Sequence, residues 1–145
     1  MNSAAQSAPS APASVSKLTA SAPVLLVRDV VAAANHYRDA MGFEHGRFYG
    51  EPPSFVITGR DETYLMLKQV ADHKLIVPHC SVSVESCDVY FWTSDIEMLH
   101  AEFVRRGATI TDGLCLQEYG CREFAARDLD GYVIRFGEIV TADRA

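Results

Sequence analysis

The chain repeats itself. Leu25-Leu26-Val27-Arg28-Asp29, a helical stretch and Gly42-Phe43 recur as Phe91-Trp92-Thr93-Ser94-Asp95, a second helical stretch and Gly107. Downstream, Phe55-Val56-Ile57 followed by Leu65-Met66-Leu67 recurs as Phe124-Ala125-Ala126 followed by Ile134-Arg135-Phe136. Self-similarity at a fixed period signals repeated structural units, and two copies of about 66 residues point to a pseudo-symmetric pair of βαβββ modules. A chain of 145 residues, 48% of them hydrophobic, buries the core of one ordinary domain rather than two. The expected fold class is therefore α+β, with modules over about residues 22–70 and 87–140 as halves of a single body. The cleft between them is where a site is expected.

A net charge of −6 and a pI near 5.3 argue against a nucleic-acid partner, which needs a basic stripe to displace counterions. They suit a small, neutral or cationic ligand. No apolar run is long enough to span a bilayer, so no membrane partner is expected. Residues 1–19 are almost entirely Ala, Ser and Pro with the single cation Lys17, and read as a disordered tail rather than a secretory signal. Cys80, Cys87, Cys115 and Cys121 form no Cys-x-x-Cys pair; the reading is reduced thiols in a cytoplasmic protein.

Pro23 to Val27 is a short strand ending at Asp29, which caps a helix whose apolar stripe is Val30, Ala33, Ala34, Tyr37 and Met41 and whose stop is Gly42. The second copy does the same. Ser94-Asp95-Ile96-Glu97 has the look of a capping box, Ile96, Leu99, Phe103 and Val104 form the stripe, and Gly107 ends the helix. Strands are expected at 47–49, 54–58 and 63–68, then at 87–93, 109–111, 122–127 and 132–136, with four-residue turns at Gly59-Arg60-Asp61-Glu62 and Asp128-Leu129-Asp130-Gly131. Residues 71–86 read as a polar linker.

Those turns set a register. Phe55 then faces Met66, Phe124 faces Arg135 and Arg122 faces Gly137, while Leu65, Leu67, Ile134 and Phe136 turn toward the helices. Asp88, Tyr90 and Trp92 fall on the side away from the helices. One face of each sheet is apolar core; the other mixes aromatic rings with charge.

The stretches Val27-Arg28-Asp29-Val30, Tyr37-Arg38-Asp39-Ala40-Met41-Gly42-Phe43, Val89-Tyr90-Phe91-Trp92, Tyr119-Gly120-Cys121-Arg122-Glu123-Phe124 and Asp128-Leu129-Asp130-Gly131-Tyr132 together resemble the glyoxalase/bleomycin resistance/dioxygenase group, the vicinal oxygen chelate superfamily. The resemblance runs from about Pro23 to Val140. It implies two βαβββ modules forming a cupped mixed sheet with helices on the outer face, assembled as a homodimer. Enzymes of that group hold a divalent metal with four His or Glu residues, which fall by register near Ala22, Met66, Asp88 and Arg135 here. Of these only Asp88 is a suitable donor, and Arg135 repels a cation. The likeness is therefore to the metal-free, bleomycin-resistance-like branch, with no cofactor, no metal and no catalytic residue expected. Arg122-Glu123-Phe124 and Phe136-Gly137-Glu138 also look most like that branch.

The ligand-binding set expected on this basis is Trp92, Tyr90, Asp88, Arg135, Arg122, Phe124, Phe55 and Met66. Trp92 and Tyr90 stack a planar ligand, unless Trp92 fills the core or a dimer interface. Asp88 and Arg135 meet polar groups of the ligand, or pair with each other. Phe55 and Met66 supply an apolar wall. Cys121 is the thiol nearest the expected cleft mouth. The function so read is sequestration of an aromatic or cationic small molecule, as in antibiotic resistance. The alternative is a metal-dependent lyase, isomerase or dioxygenase of the same group with displaced ligands.

Overall fold

A computed structural model describes Pro9, residues 13–84 and residues 86–140. Part of the expected tail lies outside those residues; from residue 13 to Ala20 the chain is exposed and without regular structure. β1 (Val24–Val27) sends Leu25 and Val27 into the core and ends before Asp29, whose carboxylate accepts the backbone N–H of Val31 and Ala32 at 3.0 Å. That cap starts α1 (Val30–Met41), and Gly42, at φ +70°, terminates it in the left-handed conformation open to glycine. β2 (Glu44–His45), β3 (Phe55–Arg60) and β4 (Thr63–Gln69) complete the first module. Two 3-10 turns, His73–Leu75 and His79–Ser81, lie in the linker.

The second module repeats the order with β5 (Val89–Trp92), α2 (Ile96–Arg106), β6 (Thr109–Leu116), β7 (Cys121–Arg127) and β8 (Val133–Ile139). The sheets run β1-β4-β3-β2 and β5-β8-β7-β6, with β1·β4 and β5·β8 parallel and the other ladders antiparallel. The fold is α+β, built of two βαβββ modules as the duplication implies. At α2 the cap is Asp95 alone, accepting Met98 N–H at 3.0 Å, while its own N–H goes to Thr93 Oγ1 at 3.3 Å rather than to a reciprocal Glu97. Val104 lies outside the buried stripe, exposed on the helix.

Both hairpins turn differently from expectation. Arg60 pairs with Thr63, so the first turn has only Asp61 and Glu62 at its tip, and Asp61 takes φ +52°. Phe55 is opposite Lys68 and Ile57 opposite Met66, yet the slip is even and Phe55 and Met66 keep one face. In the second hairpin Arg127 pairs with Val133, and this odd slip exchanges the faces. Phe124 is opposite Phe136 and Arg122 opposite Glu138, both on the helix side; Glu123, Ala125, Arg135 and Gly137 occupy the open face.

The helix-side faces of both modules share one hydrophobic cluster. Its centre is aromatic: Phe124 stacks on Phe136 at 5.2 Å, Phe103 meets both edge-on at 5.4 and 4.9 Å, and Phe91 links Phe136 to Phe43. Each such ring pair adds about 0.5–1.5 kcal/mol beyond the area it buries. A polar seam fastens the modules beside it. Tyr37 donates to Asp128 Oδ2 at 2.6 Å, Tyr132 donates to the Leu26 carbonyl at 2.7 Å, and Arg28 N–H donates to Asp130 at 2.9 Å. Arg60 grips Glu102 of α2 with two bonds, at 2.6 and 2.9 Å.

Burial raises the Asp128 carboxyl to about 6 although Tyr37 and the N–H groups of Asp130 and Tyr132 all donate to it. The folded protein therefore holds this proton more tightly than the unfolded chain does. The stability that follows is present in full below about pH 4 and is lost as the pH rises through about 6. It amounts to about 2–3 kcal/mol. Denaturant titrations of Asp128→Asn across that pH range should show the dependence flattened relative to the parent; parallel profiles would refute the assignment.

Candidate functional site

The open face of the second sheet carries the densest polar and aromatic cluster. Tyr90 and Trp92, two apart on β5, project together with ring centroids 4.7 Å apart and planes inclined at 50°. On β7 their neighbour is Glu123, only 2% exposed. Its Oε1 accepts the hydroxyls of Tyr90 and Tyr119, each at 2.7 Å, and its Oε2 lies 3.6 Å from Arg135 Nη1. Arg135 also donates to Asp112 at 2.6 Å. Buried Cys121 places Sγ 3.1 Å from the Tyr90 hydroxyl.

Gly137 makes room for this arrangement. It lies on β8 opposite Glu123, and a Cβ there would fall on the Tyr90 hydroxyl and 2.9 Å from Cys121 Sγ. The tyrosine thus lies flat over a strand that has no side chain at that point.

Protonation follows from these contacts. The Tyr119 hydroxyl is pushed up to about 12, first by its bond to Glu123 and then by burial. Burial raises Tyr90 further, and its bonds to Cys121 and Glu123 add to the effect. Both tyrosines are therefore donors at neutral pH, and neither is poised to take a proton. Two carboxylates, Glu123 and Asp112, surround one guanidinium, Arg135, and leave one net negative charge. Above it stand two open rings, Trp92 at 66% and Tyr119 at 71% exposure. A cavity of about 400 Å³ lies among Tyr90, Trp92, Tyr119, Cys121, Glu123 and Ile139.

Of the residues singled out in the sequence, Tyr90, Trp92 and Arg135 come together here. Arg122 is on the helix side, pairing with Glu97 of α2, and Phe124 is wholly buried in the aromatic core. Asp88 precedes β5, and its two oxygens accept the N–H of His79 and Val133 at 2.8 Å, so its charge is spent on backbone and it does not pair with Arg135. Phe55 and Met66 share the other sheet's open face with Ile57 and Tyr64. Sequence reasoning missed Glu123, Asp112 and Tyr119. The signal was Gly137, an isolated glycine in a strand pattern, which marks a close approach.

The family's metal corners do not fit an ion. On the first and last strands the open-face positions are Val24, Met66, Tyr90 and Arg135, a set with no ordinary divalent-metal donor. Glu123, the nearest carboxylate, is already engaged by two hydroxyls and a guanidinium. Among the described residues no three His, Cys, Asp or Glu side chains converge as a metal would require.

The profile of the glyoxalase/bleomycin resistance protein/dioxygenase superfamily matches residues 19–136, most of the chain. The chain belongs to that superfamily. Solved structures of the superfamily's fold agree. The bleomycin-binding protein of Streptomyces verticillus, solved with copper(II)-bleomycin, is 24% identical with a TM-score of 0.63, covering 84% of this chain and 97% of its own. TioX from Micromonospora sp. ML1 is 17% identical with a TM-score of 0.67 over 84% and 99% of the two chains. A glyoxalase/bleomycin resistance protein/dioxygenase from Alicyclobacillus acidocaldarius is 16% identical at 0.69 over 87% and 94%. At these identities the likeness is of fold. No curated protein sequence matches the chain. In this chain a corner set without chelators lies beside a carboxylate that accepts two tyrosine hydroxyls. Among the described residues, no helix is long and apolar enough to cross a membrane.

Proposed function

We propose that this chain binds a flat aromatic or cationic small molecule on the Tyr90, Trp92 and Tyr119 face and holds it without chemical change, as a cytoplasmic resistance-like or carrier protein. The observation that carries this reading is Glu123. Its carboxylate is fully engaged in fixing Tyr90 and Tyr119 beside Trp92, so the cluster presents rigid rings rather than a reactive base, nucleophile or metal. Rigid rings stack at low entropic cost, and the residual negative charge favours a cation above them. Trp92, Leu116, Tyr119 and Ile139 also leave an apolar rim that suits closure by a second copy, which makes a homodimer the working assembly. The ligand-binding set becomes Trp92, Tyr90, Tyr119, Arg135 and Asp112, without Phe55 and Met66, which line no cavity with them.

The S. verticillus relative was solved with copper(II)-bleomycin, which is therefore the first compound to titrate, followed by a panel of cationic and neutral planar molecules. Saturable quenching of Trp92, the sole tryptophan, is expected for the cationic members, with each compound recovered at unchanged mass. Followed by calorimetry, Trp92→Ala should cost tenfold or more in affinity, about 1.4 kcal/mol, at unaltered thermal stability. Conversion of any panel member to product, or equal affinity without Trp92, would refute the proposal.

A further inference from the structure

We propose that the molecule held on these rings carries a neutral vicinal diol, of the kind a sugar presents, and that the diol enters a polar bay beside them. The inference rests on the ring-binding reading and extends it to the ligand's other end. The open face of the second sheet is laid out in rows. Tyr90, Arg135, Ala125 and Asp112 are register partners in turn across β5, β8, β7 and β6, and Trp92, Gly137, Glu123 and Cys115 make the next row. Each row contains one small residue. Tyr90 leans over Gly137, and Arg135 passes over the strand of Ala125 to reach Asp112 at 2.6 Å.

Beyond the rings the face opens into the bay. A cavity of about 760 Å³ has Thr111, Asp112, Gln117, Tyr119, Glu123 and Arg135 in its walls, and it shares Tyr119 and Glu123 with the 400 Å³ cavity beside Trp92. β6 makes the room. Its register against β7 slips between Ile110 and Asp112 and again between Asp112 and Cys115, and bulges of this sort re-aim side chains next to sites. Charge in the bay alternates: Arg135 stands between Asp112 Oδ2 at 2.6 Å and Glu123 Oε2 at 3.6 Å. An ammonium drawn to Asp112 meets the guanidinium next to it, and a carboxylate drawn to Arg135 meets two others. A hydroxyl has neither conflict, because it accepts from an N–H and donates to a carboxylate at once. Two adjacent hydroxyls span the pair, and Thr111 and Gln117 add a hydroxyl and a carboxamide that both donate and accept. The net negative charge thus acts on the ring, and the alternation acts on the tail.

The test titrates the full chain, by calorimetry, with quinolinium ions that differ only in the group on nitrogen: methyl, 2,3-dihydroxypropyl, carbamoylmethyl, carboxymethyl and 2-aminoethyl. The diol should bind about tenfold more tightly than the methyl compound, the gain from two net hydrogen bonds of ordinary strength. The amide, the carboxylate and the amine should all bind less tightly than the diol. Asp112 is half-exposed on an edge strand, so Asp112→Ala should fold as the parent does. In that variant the diol should lose its advantage over the methyl compound, and the carboxymethyl compound should rise above both, because Arg135 is then open to an anion. Ratios within the series cancel the change in net charge. A diol no tighter than the methyl compound, an amide as tight as the diol, or a variant that weakens every compound by the same factor overturns the bay and leaves ring binding standing. Failure of all five to bind the parent removes the ring reading and the bay with it, so the two failures are told apart.

Discussion

Gly137→Ala is expected to destabilise the protein by about 2–6 kcal/mol, a loss out of proportion to one methyl group. The added Cβ would fall on the Tyr90 hydroxyl and within 2.7 Å of its Cζ, with Cys121 Sγ at 2.9 Å on the other side. Overfilling a packed site costs about 1–3 kcal/mol. Displacing Tyr90 also strips one of the two hydroxyl donors from buried Glu123, and an under-satisfied buried acceptor adds about 1–3 kcal/mol. Urea titration measures the sum. Ring geometry is the second readout: the Tyr90–Trp92 pair should come apart, and near-ultraviolet circular dichroism should fall. Tyr90→Phe alone separates the two contributions, because it removes the donor from Glu123 without adding a Cβ, and whatever Gly137→Ala costs beyond it is the overfilling. A Gly137→Ala protein of parental stability would show that Tyr90 does not lie over β8.

Phe124→Ala should cost about 3–5 kcal/mol, the range for deleting a buried phenylalanine. Its ring is inaccessible, stacked on Phe136 and met edge-on by Phe103 and His100. The neighbour on the same face is the control. Arg122 pairs with Glu97 near the surface, and Arg122→Ala should change stability by less than about 1 kcal/mol, as exposed ion pairs do. Neither substitution should alter ligand affinity directly, since both side chains face the helices. If Phe124→Ala left stability intact while abolishing binding, the register of β7 would be wrong by one residue.

That register separates what the sequence displayed from what it concealed. The duplication, both helices and their stops were legible because Asp29, Gly42, Asp95 and Gly107 act within a few residues of where they stand. Strand faces depend on how many residues a turn consumes, and turn chemistry alone left that open. At Asp61-Glu62 the miscount was even, and Phe55 and Met66 stayed on the open side. At residues 128–132 it was odd, so Glu123 took the place expected for Arg122 and Phe124. The loop is longer there because Asp128 turns inward to bind Tyr37 and two N–H groups of its own loop, a choice dictated by the other module. Asp88 was misplaced for a similar reason. It sits one residue before β5, where backbone donors claim it first.

The seam also bears on the symmetry with which the chain begins. Tyr37, Arg28 and the Leu26 carbonyl of the first half are satisfied by Asp128, Asp130 and Tyr132 of the second, whereas the matching corner of the first half is a bare two-residue tip. The halves are thus alike in their ladders and unlike in their edges. Two first halves joined head to tail would strand a tyrosine hydroxyl in the interior, and two second halves would bury an aspartate oxygen without its tyrosine donor. Each copy has become the complement of the other, and the body needs one of each.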